Sequence, residues 1–322
     1  MTPEQIRRLL AKVFPKRSVK NLQVLSGGLI NTNIRVDFEA NYEPVVIRLY
    51  RSGAEVCRKE LAIHDLLSRT IRVPRALHAE PDGIEDSPAF LINEYVIGLT
   101  FQELKRTKDF KAIQQASHSV GATLAAIGGF KFEKPGRLEI AEEAAALAVG
   151  PKFIEGSDQI SRLMDRFLAS ANCERRVGPK LMQRLHDYAW SWSSRIPDLE
   201  EAPCLVHNDF GNRNILVRQE NGKWVVAAVV DWEFAFSGSP LLDVGHFLRY
   251  ERRSAPLREP QFSQGFVEHG GQLPDNWREI ARVIDLTGLI ECLTHDELPI
   301  EVEMELLELI NATLDHRDPN LG

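Results

Sequence analysis

Apolar residues follow two rhythms along the chain. Ile6, Leu9, Leu10 and Val13 fall on one face of a helix, with Thr2 to cap it, Pro3 in its first turn and Gln5 to complete a capping box. The pattern then turns to strands. Residues 22–25 read as a short strand, broken by Ser26-Gly27-Gly28, and Ile34, Val36 and Phe38 alternate as the returning strand. Residues 45–50 are β-branched and aromatic, which predicts a third strand. A helix is expected over 55–68 with Leu61, Leu66 and Leu67 on its buried side. Another strand over 90–96 ends at Gly98.

Beyond Gly98 the rhythm becomes helical, over 109–128, 158–172, 179–195, 278–294 and 300–313. One hairpin interrupts it: Ile215, Leu216 and Val217, then the turn Asn221-Gly222, then residues 224–230. Asn-Gly between two apolar runs is a strong hairpin signal. The pattern predicts an α+β chain with a small β-rich N-terminal lobe (1–97) and a larger helical lobe (98–322). A ligand is expected in a cleft between them. A length of 322 residues agrees with two domains.

Composition narrows the function classes. Apolar residues make up 43% of the chain, enough for a substantial core. Thirty-nine basic against 46 acidic residues give a net charge of −7, which argues against a nucleic-acid partner and mildly favours a cationic ligand. The apolar runs are far too short to span a membrane, and the first residues read as a helix start rather than a signal peptide. Cys57, Cys173, Cys204 and Cys292 lie far apart, which fits a reducing, cytoplasmic compartment with cysteines packed as small hydrophobes.

The chemistry concentrates in residues 205–214, Leu-Val-His-Asn-Asp-Phe-Gly-Asn-Arg-Asn, followed by the hairpin and Asp231-Trp232-Glu233. A hairpin brings its ends together, so Asn214 before the first strand and Asp231 after the second converge, about two residues out of register and about 7 Å apart along a strand. Two hard oxygen donors with positions left for water and phosphate suit Mg²⁺. Asp209, on the entering loop, is placed to accept a proton from an incoming hydroxyl. His-x-Asp-x-x-x-x-Asn followed by a hairpin and Asp matches the catalytic part of phosphoryl-transfer enzymes on the kinase plan.

From about residue 20 to 250 the chain resembles the aminoglycoside phosphotransferase family, the small-molecule branch of the kinase-like fold that includes choline, homoserine and fructosamine kinases. The resemblance implies a bilobal kinase-like fold and transfer of a γ-phosphate, from ATP or GTP with Mg²⁺, to a hydroxyl of a small molecule. Ser26, Gly27 and Gly28 resemble the family's nucleotide loop, whose N–H groups meet phosphates. Val45-Val46-Ile47-Arg48 places arginine where many kinases carry lysine. Arg48 would bridge the α- and β-phosphates, oriented by Glu60. By the same match, the Glu94 carbonyl and Val96 N–H would bond the adenine edge. Asp243 resembles a buried acid that braces the catalytic loop, and His207 reads as structural.

The acidic C-terminal residues, among them Asp285, Glu291, Asp296, Glu301, Glu303 and Glu305, read first as a solvated helix face. The sharper reading gives some of them an amine-bearing acceptor such as an aminoglycoside, and with it an antibiotic-resistance role. A catalytically silent nucleotide-binding module is the competing function, and the Arg48 departure is the feature in its favour. A protein kinase is disfavoured: there is no G-x-G-x-x-G, and His207-Asn208-Asp209-Phe210 replaces H-R-D-L.

Overall fold

In the computed structural model, which describes residues 1–25, 31–84, 86–141, 146–154, 158–196, 203–251 and 255–315, Thr2 caps α1 (Pro3–Val13) through the expected capping box. The chain divides into two compact units: residues 1–109, 138–148 and 212–234 in the first, and 110–137, 149–211 and 235–322 in the second.

The first unit is built on a five-stranded antiparallel sheet of β1 (Val19–Val24), β2 (Thr32–Phe38), β3 (Val45–Leu49), β4 (Ala76–Glu80) and β5 (Phe90–Glu94), in the order β1-β2-β3-β5-β4. Alternation sorts its side chains. Ile34, Val36, Val45, Ile47, Phe90 and Ile92 pack with Ile6, Leu9 and Leu10 of α1 on one face. Tyr50, Cys57, Ala89 and Leu91 cluster on the other, where α2 (Ala54–Leu67) lies. The buried side of α2 is Cys57, Glu60, Ile63, His64 and Leu67. Leu66, expected on that side, is exposed. Two polar residues, Glu60 and His64, occupy the buried stripe, and an apolar count alone therefore rotates the helix the wrong way.

The hairpin also belongs to this unit. β10 (Ile215–Glu220) and β11 (Lys223–Val229) pair across Asn221 and Gly222, whose φ angles of +49° and +77° are the left-handed pair that such a tight turn requires. β10 pairs on its other side with β6 (Leu99–Thr100), and Thr100 caps the short α3 (Phe101–Arg106). The chain passes between the units through β7 (Gly136–Ala141) and β8 (Ala146–Val149).

The second unit is mainly helical: α4 (Phe110–Ile127), α5 (Gln159–Leu168), α6 (Ala171–Val177), α7 (Pro179–Trp192), α8 (Leu241–Leu248), α9 (Glu259–Glu268), α10 (Trp277–Leu293) and α11 (Ile300–Leu314). The single helix expected over 158–172 is two, broken after Leu168 where Ser170 starts α6. Met164, Leu168, Leu185, Leu286, Ile290 and Ile310 anchor its core. The two short strands β9 (Cys204–Val206) and β12 (Phe236–Gly238) pair antiparallel, and the first delivers the chain to His207. No helix among the described residues is long and apolar enough to cross a membrane.

Candidate active site

In the first unit, β3 turns Arg48 toward the face that carries α2, and α2 presents Glu60 from its buried stripe. Arg48 Nε lies 3.1 Å from Glu60 Oε2, and both side chains are buried. The hairpin supplies the other partners. Val230 N–H donates to the Asn214 carbonyl at 2.9 Å, and Ile215 faces Val229 in register. Asn214 thus stands beside Val230 and one step from Asp231, tighter than the two-residue offset expected. Asp231 has a left-handed φ of +70°, a costly conformation that short polar residues tolerate best and that is often kept at functional sites. Arg48 Nη2 donates to Asp231 Oδ1 at 2.5 Å and to Glu233 Oε1 at 3.3 Å.

One guanidinium therefore faces three carboxylates. Burial acts to lower the Arg48 pKa, but Glu60 and Asp231 outweigh it and hold the group above the ordinary arginine value. Glu60 is pushed up by burial against the pull of Arg48, with Asp231 pushing it further. Glu233 rises to about 7, from burial first and Asp231 second, again opposed by Arg48. The cluster is braced from outside: Tyr50 O–H donates to Glu60 at 2.8 Å, and Asn31 Nδ2 donates to Glu233 at 2.7 Å. Asn31 Oδ1 accepts from the Arg51 and Ser52 backbone N–H and hydroxyl, respectively. Carboxylates outnumber cations in this cluster, a balance of charge that suits a divalent cation, while among the described residues no group of three His, Cys, Asp or Glu side chains is arranged to hold one.

Glu94 ends β5, three residues beyond Leu91, the register partner of Arg48, and so about 10 Å from it along the strand. Its carboxylate is turned to Arg75, accepting that residue's N–H at 3.2 Å, and Val96 follows half-buried. Ser26, Gly27 and Gly28 lie outside the described residues.

In the second unit the loop after β9 is held from below by α8. Asp243, fully buried, accepts the His207 N–H at 2.7 Å and the Asn208 N–H at 2.9 Å. Burial raises its pKa to about 7, against those two hydrogen bonds. Asn208 takes a left-handed φ of +63°. Asp209 N–H donates to the buried His207 Nδ1 at 3.1 Å, which makes His207 a loop-bracing residue as expected. Asp209 itself is half-exposed, and its Oδ1 lies 3.3 Å from His246 Nε2.

The structure thus gathers Arg48, Glu60 and Asp231, with Asn214 at the hairpin base, in one unit and places Asp209 in the other. Sequence reasoning left Glu233 open and missed Asn31 and His246. Each is a polar residue on a buried face, and for His246 the signal was its spacing of three from Asp243. Several C-terminal acids are already engaged: Asp285 forms a two-toothed pair with Arg249, Glu303 pairs with Arg176, and Asp296 accepts from Asn172.

Comparison with known proteins places this geometry. A thermostable mutant of aminoglycoside phosphotransferase APH(4)-Ia, solved with ADP and hygromycin B, superposes with a TM-score of 0.69, covering 97% of this chain and 98% of that one at 20% identity. Wild-type aminoglycoside 2'-phosphotransferase-IIIa, solved with GDP, gives 0.67 at 17% identity, covering 98% and 99%. At such identities the likeness is one of fold. Acyl-CoA dehydrogenase family member 11 of Mus musculus is 32% identical over 83 residues, a stretch that is 25% of this chain and 9% of the mouse protein's length. The model of the phosphotransferase enzyme family matches residues 21–281, a span that takes in Arg48, Glu60, Asp209, Asn214 and Asp231 alike. Carrying that match over most of its length on the family's kinase-like fold, the chain belongs to the phosphotransferase enzyme family.

Proposed function

We propose that the chain is a Mg²⁺-dependent kinase that moves the γ-phosphate of ATP, with GTP as the alternative donor, to a hydroxyl of a small, amine-bearing molecule such as an aminoglycoside or an amino-containing metabolite. The observation that carries this reading is the buried set around Arg48, with three carboxylates on one cation, in a chain whose Asp209 stands on the His-x-Asp-x-x-x-x-Asn motif. In it residues 1–97 take the nucleotide and 98–322 carry catalysis and the acceptor.

Asp231 and Asn214 would hold the metal, which when bound supplies charge neutralisation for the phosphates. Glu60 holds the guanidinium of Arg48 from one side, and Nη2, paired here with Asp231 and Glu233, would turn to phosphate oxygens as Asp231 takes the metal. The resemblance assigns the phosphates to the backbone of Ser26, Gly27 and Gly28, and the base to the Glu94 carbonyl and Val96 N–H. Asp209 accepts the proton of the attacking hydroxyl and orients its oxygen toward the phosphorus. The free cysteines support a reducing, cytoplasmic setting: burial raises Cys57 and Cys204 to about 12, leaving unreactive thiols.

Consumption of Mg·ATP, in a coupled assay against aminoglycosides, choline-like amines, amino sugars and sugars, tests the reading. Turnover with an amine-bearing alcohol is expected, and Asp209→Ala lowers it by about 10²- to 10⁴-fold with nucleotide affinity retained. Turnover with an aminoglycoside would add a resistance role. ATP binding without turnover across the panel would favour the silent nucleotide-binding module, and near-normal turnover in Asp209→Ala would refute the assigned base.

A further inference from the structure

α8 carries two polar residues toward the loop that holds Asp209. Asp243 and His246 are three apart, hence neighbours on one helical face. Asp243 fixes the loop's backbone through the N–H groups of His207 and Asn208. His246 reaches the side chain, with Nε2 at 3.3 Å from Asp209 Oδ1. The loop closes over the imidazole edge: Gly211 N–H donates to the Asp209 carbonyl at 2.7 Å, and a Cβ at Gly211 would stand 3.5 Å from His246 Nε2. Asp209 keeps more exposure than His246, with 39% of its side chain accessible against 19%. One carboxylate oxygen is thus approached from the helix side while the group still reaches solvent.

Resting on the reading of Asp209 as the group that takes the acceptor's proton, we infer that His246 is a positioning residue for it: Nε2, 3.3 Å from Oδ1, holds the carboxylate in place for the incoming hydroxyl.

The surroundings decide the form in which His246 does this. Burial lowers its pKa well below the ordinary value, and the positive charges of Arg249 on its own helix and of His207 on the loop, when protonated, lower it further. The other charged groups around it are Asp209, Asp243 and, from α10, Asp285, which is taken up by Arg249. A neutral imidazole has a single N–H. It therefore orients Asp209 without the full positive charge that would make the carboxylate a poorer base. A lysine or arginine at the same place would orient it and weaken it together. The division of labour on α8 is then backbone by Asp243, side chain by His246.

The test is imidazole ¹⁵N spectroscopy on the full chain at pH 7, joined to turnover of Mg·ATP with the acceptor from the panel, or with water. His246 is expected neutral with its proton on Nε2, and Asp209→Asn shifts that resonance. A proton on Nδ1, an imidazolium, or a resonance indifferent to Asp209→Asn overturns the proposal, with or without an acceptor in hand. His246→Leu is expected to lower kcat about tenfold or more at unchanged KM for ATP, and His246→Gln, which keeps an N–H donor at similar reach, restores most of it. Equal loss in both variants, or none, also overturns it. Retained turnover in Asp209→Ala, by contrast, would remove the underlying reading of Asp209, so the two failures are distinct.

Discussion

Around Arg48 the first unit collects charge, and around Asp209 the second unit spends hydrogen bonds. Glu60, Asp231 and Glu233 meet one buried guanidinium, and burial holds two of them above their ordinary pKa. Asp209 is a single half-exposed carboxylate, and what fixes its loop is a set of backbone N–H groups received by Asp243 and His207. The difference is chemical. The role proposed for the Arg48 cluster, receiving cations and phosphates, would gain from fixed charge kept out of water. A proton acceptor gains from exact placement, with its own charge left available.

The most severe way to break the first half of that comparison is to remove its cation. Arg48→Met leaves the buried Glu60 and Glu233 and the part-buried Asp231 without their cation, and breaking a buried pair in this way costs about 3–5 kcal/mol. Urea denaturation should show that loss. Glu60→Gln added to Arg48→Met should recover part of it, because the group with the least access to water is then neutral. If Arg48→Met is as stable as the wild type, the cluster is not a store of fixed charge and the contrast with Asp209 collapses.

Much of this was legible before the fold. Strands β2 and β3, the Asn221-Gly222 hairpin and α1 with its capping box all follow from local chemistry, and so did the convergence of Asn214 with Asp231. The failures share a cause. Leu66 was placed inward because Glu60 and His64, which take the buried stripe of α2, look like solvent-facing residues in a one-dimensional pattern. α8 went unread as a helix because its eight residues give barely two turns of periodicity, and with it His246 went unread as a partner of Asp209. Asn31 sits 202 residues from Glu233, and no local rule brings such a pair together. Buried polar residues answer to partners distant in sequence, and periodicity carries no record of them.

The second half of the comparison is sharpened by pH. Asp243 has its folded pKa raised from 3.8 to about 7, so between those values the folded chain keeps a proton that the unfolded chain has released. The sign follows: this group's contribution is fully present below about 4 and is lost as pH rises through about 7, at a slope of at most about 1.4 kcal/mol per pH unit. Asp243→Asn cannot titrate. The difference in urea midpoint between wild type and Asp243→Asn should therefore change steadily from pH 4 to 7 and level off beyond. A difference that is constant with pH would mean that the two N–H donors keep the carboxylate ionised throughout.

The smallest effect is expected from a single methyl group. Gly245 lies on α8 between Asp243 and His246, and a Cβ there would run into the Ala281 carbonyl and stand 3.0 Å from the Asp285 Cβ of α10. Alanine is the better helix former by up to about 1 kcal/mol, which would stabilise an exposed position. Here the opposing atom is backbone that cannot swing aside, and overpacking of this kind costs about 1–3 kcal/mol, so the clash decides the sign. Gly245→Ala should lower stability by the net of the two. It should also lift α8 from α10, carrying Asp243 and His246 with it, so kcat should fall while nucleotide affinity, which the proposed function assigns to residues of the other unit, stays. Calorimetric titration with Mg·ATP beside turnover separates those outcomes. An equal fall in both would mean that charge around Arg48 and placement around Asp209 are not independent devices, and that the helix under the loop governs them together.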